Sequence, residues 1–385
     1  MAFLVAGVVA AACSSGPVVP SAGSPVASPS AIFASASPAA SATPPVPTST
    51  PRPSIPEPTI EQLIGQKLVV RMEGSTPSAG MLGRIGRGEV GGVIVFSFNF
   101  TTRASLVALT GTLQEAAADG GQPPLLIAVD QEGGGVRRIG WAPPTLSAAR
   151  MGDLGSTTDV LAQGASTGSA LRALGINIDL APVADVPGST TSFMYLAGRT
   201  LSSSPTVTAE LADAFAVGLG SEGVLPTMKH FPGIGLASQN TDAYVVTIEA
   251  SKAALEPGLL PYRTAIEHGI PLIMLSNATY SAYDADNAAG WSSAISEGLL
   301  RDEMGFQGVT ITDSLDGTAH ARGVATRALA VLAVGAGTDL ILMTGSEGVT
   351  DRVFATLVAE ARAGTFPMAA LRASYDRIMA LKAGL

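Results

Sequence analysis

Eight short runs rich in Val, Ile and Leu alternate with helical stretches, several of them with clear start signals, over about 325 residues of this chain. That alternation predicts an α/β fold, because near-continuous apolar strands need a parallel sheet covered by helices. Eight repeats suit a (β/α)8 TIM-type barrel in one domain, and an open, doubly wound sheet is the competing arrangement. A third observation favours the barrel. Several runs end directly in charged residues, and the C-terminal ends of barrel strands are where such folds gather polar side chains.

Taken in order, the folded part opens at Thr59-Ile60-Glu61-Gln62, a capping-box pattern. The strand candidates are 67–72, 91–97, 125–131, 176–185, 225–231, 271–276, 308–313 and 338–343. Helices between them carry clear signals: Ser204-Pro205 reads as N-cap and first helical residue of a helix running to Gly220 and Gly223. The third run ends in Val129-Asp130-Gln131-Glu132-Gly133-Gly134, the fourth in Ala181-Pro182-Val183-Ala184-Asp185, the fifth in Lys229-His230 and the seventh in Ile311-Thr312-Asp313-Ser314. Strand alternation places Asp130 on one face with Leu126 and Ala128, and Asp313 with Val309 and Ile311, so both carboxylates face the barrel axis. Lys229 and His230 cannot both do so on a regular strand, which predicts a bend, bulge or strand end before Phe231-Pro232-Gly233.

Before residue 58 the chain has a different character. An apolar run from Phe3 to Ala12 leads into Ala10-Ala11-Ala12-Cys13-Ser14-Ser15, which resembles a bacterial lipoprotein signal ending at a lipid-modified Cys13, although it lacks a basic start. Residues 14–57 are mostly Pro, Ser, Ala, Thr, Val and Gly, the composition of a disordered tether. The expected organisation is therefore a signal segment (1–13), a linker (14–57) and a barrel (58–385). It implies an extracytoplasmic protein, held at the membrane surface through lipidated Cys13 or secreted.

Composition narrows the chemistry. Hydrophobic residues make up 46% and charged residues 14%, enough for a large core. A net charge of -9 argues against nucleic acid as a partner. One cysteine and three histidines offer no zinc-type ligand spacing, so no metal or other cofactor is expected.

Five ordered motifs point further: Val129 to Gly134 with Arg138 downstream, Ala181 to Asp185, Gly198-Arg199, Lys229-His230-Phe231-Pro232-Gly233-Ile234-Gly235, and Thr312-Asp313-Ser314-Leu315. Together they resemble glycoside hydrolase family 3, in particular its bacterial β-N-acetylglucosaminidase branch, over roughly residues 58–385. The resemblance implies a retaining glycosidase acting on a terminal β-linked N-acetylhexosamine, with a place in cell-wall turnover. Asp313 stands at the nucleophile position, and Asp130, Arg138, Arg199, Lys229 and His230 stand at positions that hold the sugar. Carboxylate and guanidinium groups suit paired hydrogen bonds to neighbouring hydroxyls.

The chain also departs from that branch. Pro-Gly-His-Gly becomes Pro232-Gly233-Ile234-Gly235, and the Asp-Ser-His carrying the acid/base histidine becomes Asn240-Thr241-Asp242. Asp242 then has three readings: a carboxylic acid replacing the histidine, a loop cap, or the mark of a weakened enzyme that still binds sugar. Tyr244 is near enough to stand in, but a phenol with a pKa of about 10 is a poor acid at neutral pH. Gly135 replaces an arginine and Asn277 a histidine. Alternative functions are a β-glucosidase, a β-xylosidase or a phosphorylase of the same family, and a non-catalytic lipoprotein that binds sugars such as muropeptides. Asp185 reads as organising the loop after the fourth strand, Glu132 as anchoring a turn, Trp141 and Trp291 as packing or sugar-stacking residues, and His268 and His320 as surface histidines.

Overall fold

The computed structural model describes residues 57–385; Cys13 and the low-complexity stretch through residue 56 lie outside the described residues. All eight expected strands form. They are β1 (Leu68–Arg71), β2 (Gly92–Ile94), β3 (Leu126–Val129), β4 (Ile178–Asp179), β5 (Leu225–Phe231), β6 (Leu272–Leu275), β7 (Val309–Thr312) and β8 (Ile341–Met343). The ladders are parallel and run in chain order from β1 to β7, with β8 beside β1. An Ile311–Leu340 bridge, with Leu340 N donating to Thr310 O at 2.8 Å and Thr312 N to Leu340 O at 2.9 Å, closes the ring. The sheet is therefore a barrel, and the open-sheet alternative is excluded.

Alternation places the core as the sequence implies. Val69, Ile94, Leu126, Ala128, Ile178, Leu272, Met274, Val309 and Ile311 fill the barrel interior as one buried cluster. Their strand neighbours Leu68, Val70, Val93, Ile127, Val129 and Ile273 belong to the second cluster, packed between sheet and helices. Ile378, from the last helix (Met368–Lys382), joins the interior cluster and plugs the N-terminal end of the barrel.

Local signals behave as their chemistry requires. Thr59 Oγ1 accepts from Gln62 N at 3.2 Å while Gln62 Oε1 accepts from Thr59 N at 3.0 Å, completing the capping box of a single short helix (Ile60–Gly65). Ser204 caps the helix Pro205–Ser221, with Pro205 in its first turn. The fourth strand is shorter than its apolar run. Only Ile178–Asp179 pair regularly, because Pro182 has no N–H for the ladder, and pairing resumes at the Val183–Lys229 bridge.

β5 is irregular where expected. The ladder to β6 shifts register between Lys229 and Phe231, the Lys229–His230 peptide is cis, and both side chains reach the same cavity. The chain beyond it crosses the β4 loop so closely that a Cβ on Gly235 would lie 1.8 Å from Val186 O. No other residue fits there.

Candidate active site

A cavity of about 650 Å³ opens at the C-terminal ends of the strands, within the size range of small-molecule sites. Asp130, Arg138, Arg199, Lys229, His230, Asp242 and Asp313 all line it. Residues from four strand ends thus meet at one place.

The sugar-holding candidates form a tight ionic network. Lys229 Nζ, almost fully buried, lies 3.0 Å from Asp130 Oδ1 and 2.7 Å from Glu132 Oε1. Arg199 binds Glu132 through two contacts of 2.9 and 2.8 Å, the fork geometry natural to a guanidinium and a carboxylate. Arg138 reaches Asp130 Oδ2 at 3.2 Å, and its buried Nε has no hydrogen-bond partner among the described residues. Burial alone would raise the carboxyl pKa values. Lys229 with Arg138 wins at Asp130, and Lys229 with Arg199 takes Glu132 down to about 2. Burial likewise opposes the Lys229 ammonium, but Asp130 and Glu132 outweigh it and raise its pKa. The network is permanently charged around neutral pH.

Glu132 corrects one expectation. It does not serve the turn: Gly133 and Gly134, at φ of 96° and 59°, make the turn of a hairpin between Gln131–Gly133 and Val136–Arg137, leaving Glu132 to join Arg199 and Lys229. The available signal was charge balance, since two buried cations need more than Asp130 alone. Asp185 is structural as expected, though it acts on the β5 loop. Its Oδ2 lies 2.8 Å from His230 Nδ1, and its Oδ1 accepts from Ile234 N at 2.7 Å. Accepting from Nδ1–H leaves His230 Nε2 to face the cavity.

Asp313 ends β7, with its N–H donating to Leu275 O at 2.9 Å and its Oδ1 accepting from Ser314 N at 2.7 Å. The following turn is fixed from two sides: Asn277 Nδ2 donates to Ser314 O at 2.8 Å, and Ser314 Oγ lies 2.6 Å from Thr344 Oγ1. Asn277, standing where the family branch has a histidine, thus braces the Asp313 turn from behind.

In Asn240-Thr241-Asp242 the loop cap is Asn240. Its Oδ1 accepts from Asp242 N at 3.0 Å, and its carbonyl accepts from Ala243 N and Tyr244 N at 3.1 and 3.0 Å. The loop rests on the helix Leu315–Ala321, so near that a Cβ on Gly317 would stand 2.5 Å from Asp242 O. Asp242 is solvent-accessible at the mouth, and its carboxyl makes no hydrogen bond to another described residue. The Asp313 carboxylate, and next the enclosure of the site, push its pKa up to about 7. Tyr244 is exposed and does not line the cavity.

Neither tryptophan lines the cavity: Trp291 is buried under Arg322, and Trp141 is exposed beside Phe100. The aromatic lining is instead Phe96, Phe98 and Phe193, joined by Arg71, none of which sequence reasoning singled out. Phe96-Ser97-Phe98 directly after an apolar run was the readable signal. Among the described residues, no cluster of three or more His, Cys, Asp or Glu is arranged to hold a metal ion, and no helix is long and apolar enough to cross a membrane.

With this geometry in view, the relatives agree with one another. The model of the glycosyl hydrolase family 3 N terminal domain matches residues 59–381. The chain belongs to glycosyl hydrolase family 3. A secreted glycosyl hydrolase of Arthroderma benhamiae is 33% identical over 334 residues, covering 83% of this chain and 92% of that protein. A beta-hexosaminidase of Xylella fastidiosa is 33% identical over 307 residues, covering 77% and 88%. The solved family 3 beta-N-acetylglucosaminidase of Paenibacillus sp. superposes with a TM-score of 0.81 at 30% identity over 85% of this chain and 63% of that one. This family 3 chain therefore spans somewhat under two thirds of the Paenibacillus protein and nearly all of the Arthroderma one.

Proposed function

We propose that this family 3 domain is a retaining β-N-acetylhexosaminidase in which Asp313 is the nucleophile and Asp242 the acid/base. The observation that carries the reading is the pairing of two carboxyls in one cavity: one ends a braced strand, and the other is raised to about 7 by the first. Asp130, Arg138, Arg199, Lys229 and His230 hold the sugar over Asp313. Asp313 attacks the anomeric carbon as Asp242 gives its proton to the departing oxygen, and a glycosyl ester forms on Asp313. Esterification removes the Asp313 charge, the main reason Asp242 holds its proton. The Asp242 pKa then falls, and the same carboxylate becomes the base that activates water for the second step.

The N-acetylhexosamine preference rests on the relatives named beta-hexosaminidase and beta-N-acetylglucosaminidase. Cys13 and the stretch to residue 57 serve in this reading as lipid anchor and tether. They hold the barrel outside the cytoplasmic membrane, beside cell-wall polymers that contain β-linked N-acetylhexosamine.

The test is release of p-nitrophenol from its β-N-acetylglucosaminide, compared with the β-glucoside and β-xyloside, with and without phosphate. NMR of the first-formed product should show the β-anomer. Initial formation of the α-anomer would overturn the retaining assignment, and a phosphate-dependent rate the hydrolase one.

A further inference from the structure

One buried carboxyl beside the site has no part in the chemistry proposed above. Asp179 ends the regular pairing of β4, opposite Val129, and is fully buried on the helix side of the sheet, since its neighbours Ile178 and Leu180 face the barrel interior. Its Oδ1 accepts from Gln131 N at 3.0 Å, and its Oδ2 has no hydrogen-bond partner among the described residues. The end of the ladder explains the contact. Beyond Asp179 the β3 backbone has lost its regular strand partner, and a buried N–H there needs an acceptor from a side chain. Asn177, two residues earlier on the same face, does the equivalent at the start of β3: its Oδ1 accepts from Ile127 N at 2.7 Å and its Nδ2 donates to Leu125 O at 2.9 Å.

Gln131 stands between Asp130 and Glu132, and alternation turns both carboxylates to the opposite side, where they meet Lys229 Nζ at 3.0 and 2.7 Å. The Gln131 side chain is pinned as well. Its Nε2 donates to Ile139 O at 3.1 Å and to Pro143 O at 2.8 Å, and its Oε1 accepts from Ile139 N at 3.0 Å, which fixes the segment directly after Arg138. Asp179 anchors that unit to β4. Resting on the glycosidase reading above, we infer that Asp179 is a positioning residue for sugar binding: by holding the N–H between Asp130 and Glu132, it sets where both carboxylates, with Arg138, Lys229 and Arg199, meet the sugar. It does so uncharged. Burial pushes its pKa well above the ordinary carboxylate range, and the Gln131 N–H and Lys229 do not offset it. A neutral acid supplies the acceptor without a third negative charge beside Asp130 and Glu132.

Two substitutions separate positioning from charge and from packing. Asp179→Asn keeps a neutral oxygen for the Gln131 N–H, so KM for p-nitrophenyl β-N-acetylglucosaminide should stay within about twofold of wild type. Asp179→Leu fills the same space without an acceptor; KM should rise about tenfold, while kcat, set by Asp313 and Asp242, changes by less than about threefold. Partial misfolding would lower kcat and leave KM unchanged, so the split reports positioning. Hydrogen exchange of the segment around Gln131 reads the bond without turnover: it should be slow in wild type and Asp179→Asn, and at least about tenfold faster in Asp179→Leu. Asp179→Ala takes the place of the leucine variant, with the same expectations, if the latter does not fold. If wild type cleaves no glycoside, the glycosidase reading fails, and the dissociation constant for N-acetylglucosamine from calorimetry replaces KM with the same fold-changes expected. An unchanged KM or dissociation constant in Asp179→Leu, or an Asp179→Asn variant as impaired as Asp179→Leu, overturns the proposal.

Discussion

The two ends of the barrel each bury a lysine, and the protein treats them in opposite ways. At the mouth Lys229 sits between Asp130 and Glu132, and its pKa is raised. At the plugged end Lys382 Nζ donates to Gln66 Oε1 at 2.6 Å and to Gly91 O at 2.9 Å, and burial lowers its pKa to about 7. Lys67, close by, is lowered to about 8, because burial prevails while Arg301 and Arg377 already hold the carboxylate of Asp339. Burial is nearly equal; the neighbours differ. Paired charges keep their ionisation inside a protein, whereas neutral acceptors satisfy hydrogen bonds but stabilise a buried charge too little to offset its burial. The mouth keeps fixed charges where a polar ligand must be gripped, and the closed end has no such need.

The largest effect should come from the carboxylate to which the proposed mechanism assigns the chemistry. Asp313→Asn, prepared free of deamidation, should lower kcat by at least about a thousandfold with the fold intact. An undiminished rate would remove Asp313 as nucleophile.

Asp242 comes next. Asp242→Ala should slow substrates with poor leaving groups by about 10²- to 10⁴-fold, dinitrophenyl glycosides far less, and azide should restore turnover by attacking the glycosyl ester. The acid must carry its proton, so wild-type kcat/KM should fall with rising pH above about 7, and that limb should vanish in the variant. Persistence of the limb in Asp242→Ala would assign the proton to another group. The Asp242 contribution to stability should fall with rising pH as well. A carboxyl whose folded pKa is raised binds its proton more tightly in the native state, so it weakens the fold as pH rises through the window from about 4 to 7. Asp242→Asn should therefore raise the melting temperature at pH 8.

Within the mouth, Glu132→Gln tests whether pairing holds the network. It leaves Lys229 and Arg199 short of a carboxylate and should destabilise the fold by about 3 kcal/mol in urea unfolding, with a raised KM. The Glu132 pKa is depressed to about 2, so its contribution is present above about 4.3 and lost as pH falls toward 2. The gap between wild type and variant should close across that acid window. A gap that stays constant from pH 6 to pH 2.5 would show that the pair contributes nothing through ionisation.

How far this contrast could be read beforehand depends on the range of the interactions. Barrel strands follow from local apolar runs and a period of two, which is why Leu126, Ala128 and Asp130 fall on the interior side together. The Lys229-His230 irregularity was legible because two polar side chains cannot share one face of a regular strand. Glu132 was misread because its partner Arg199 lies 67 residues away and nothing local reports the pairing. The Asp242 pKa is a tertiary property in the same sense, set first by Asp313 on another strand. Phe98 and Arg71 went unnoticed because an aromatic or an arginine beside a strand end is ordinary until the fold shows what stands next to it.

The closed end supplies the smallest effect at neutral pH and the sharpest contrast across pH. Lys382 is lowered from 10.5 to about 7, so between those values the unfolded chain binds more protons than the native one. Stability from this group therefore rises with pH across that window, the reverse of the pattern expected for Asp242. Lys382→Met removes the buried amine and leaves Gln66 Oε1 and Gly91 O without their donor, two opposing terms that should nearly cancel at pH 7, within about 1 kcal/mol. Between pH 7 and 9.5 the variant should lose the larger part of the wild-type gain in melting temperature and keep the part that Lys67 supplies above about pH 8, while Glu132→Gln should keep all of it. If Lys382→Met retains the wild-type slope, burial is not lowering that amine, and the contrast between the two ends would then rest on geometry alone.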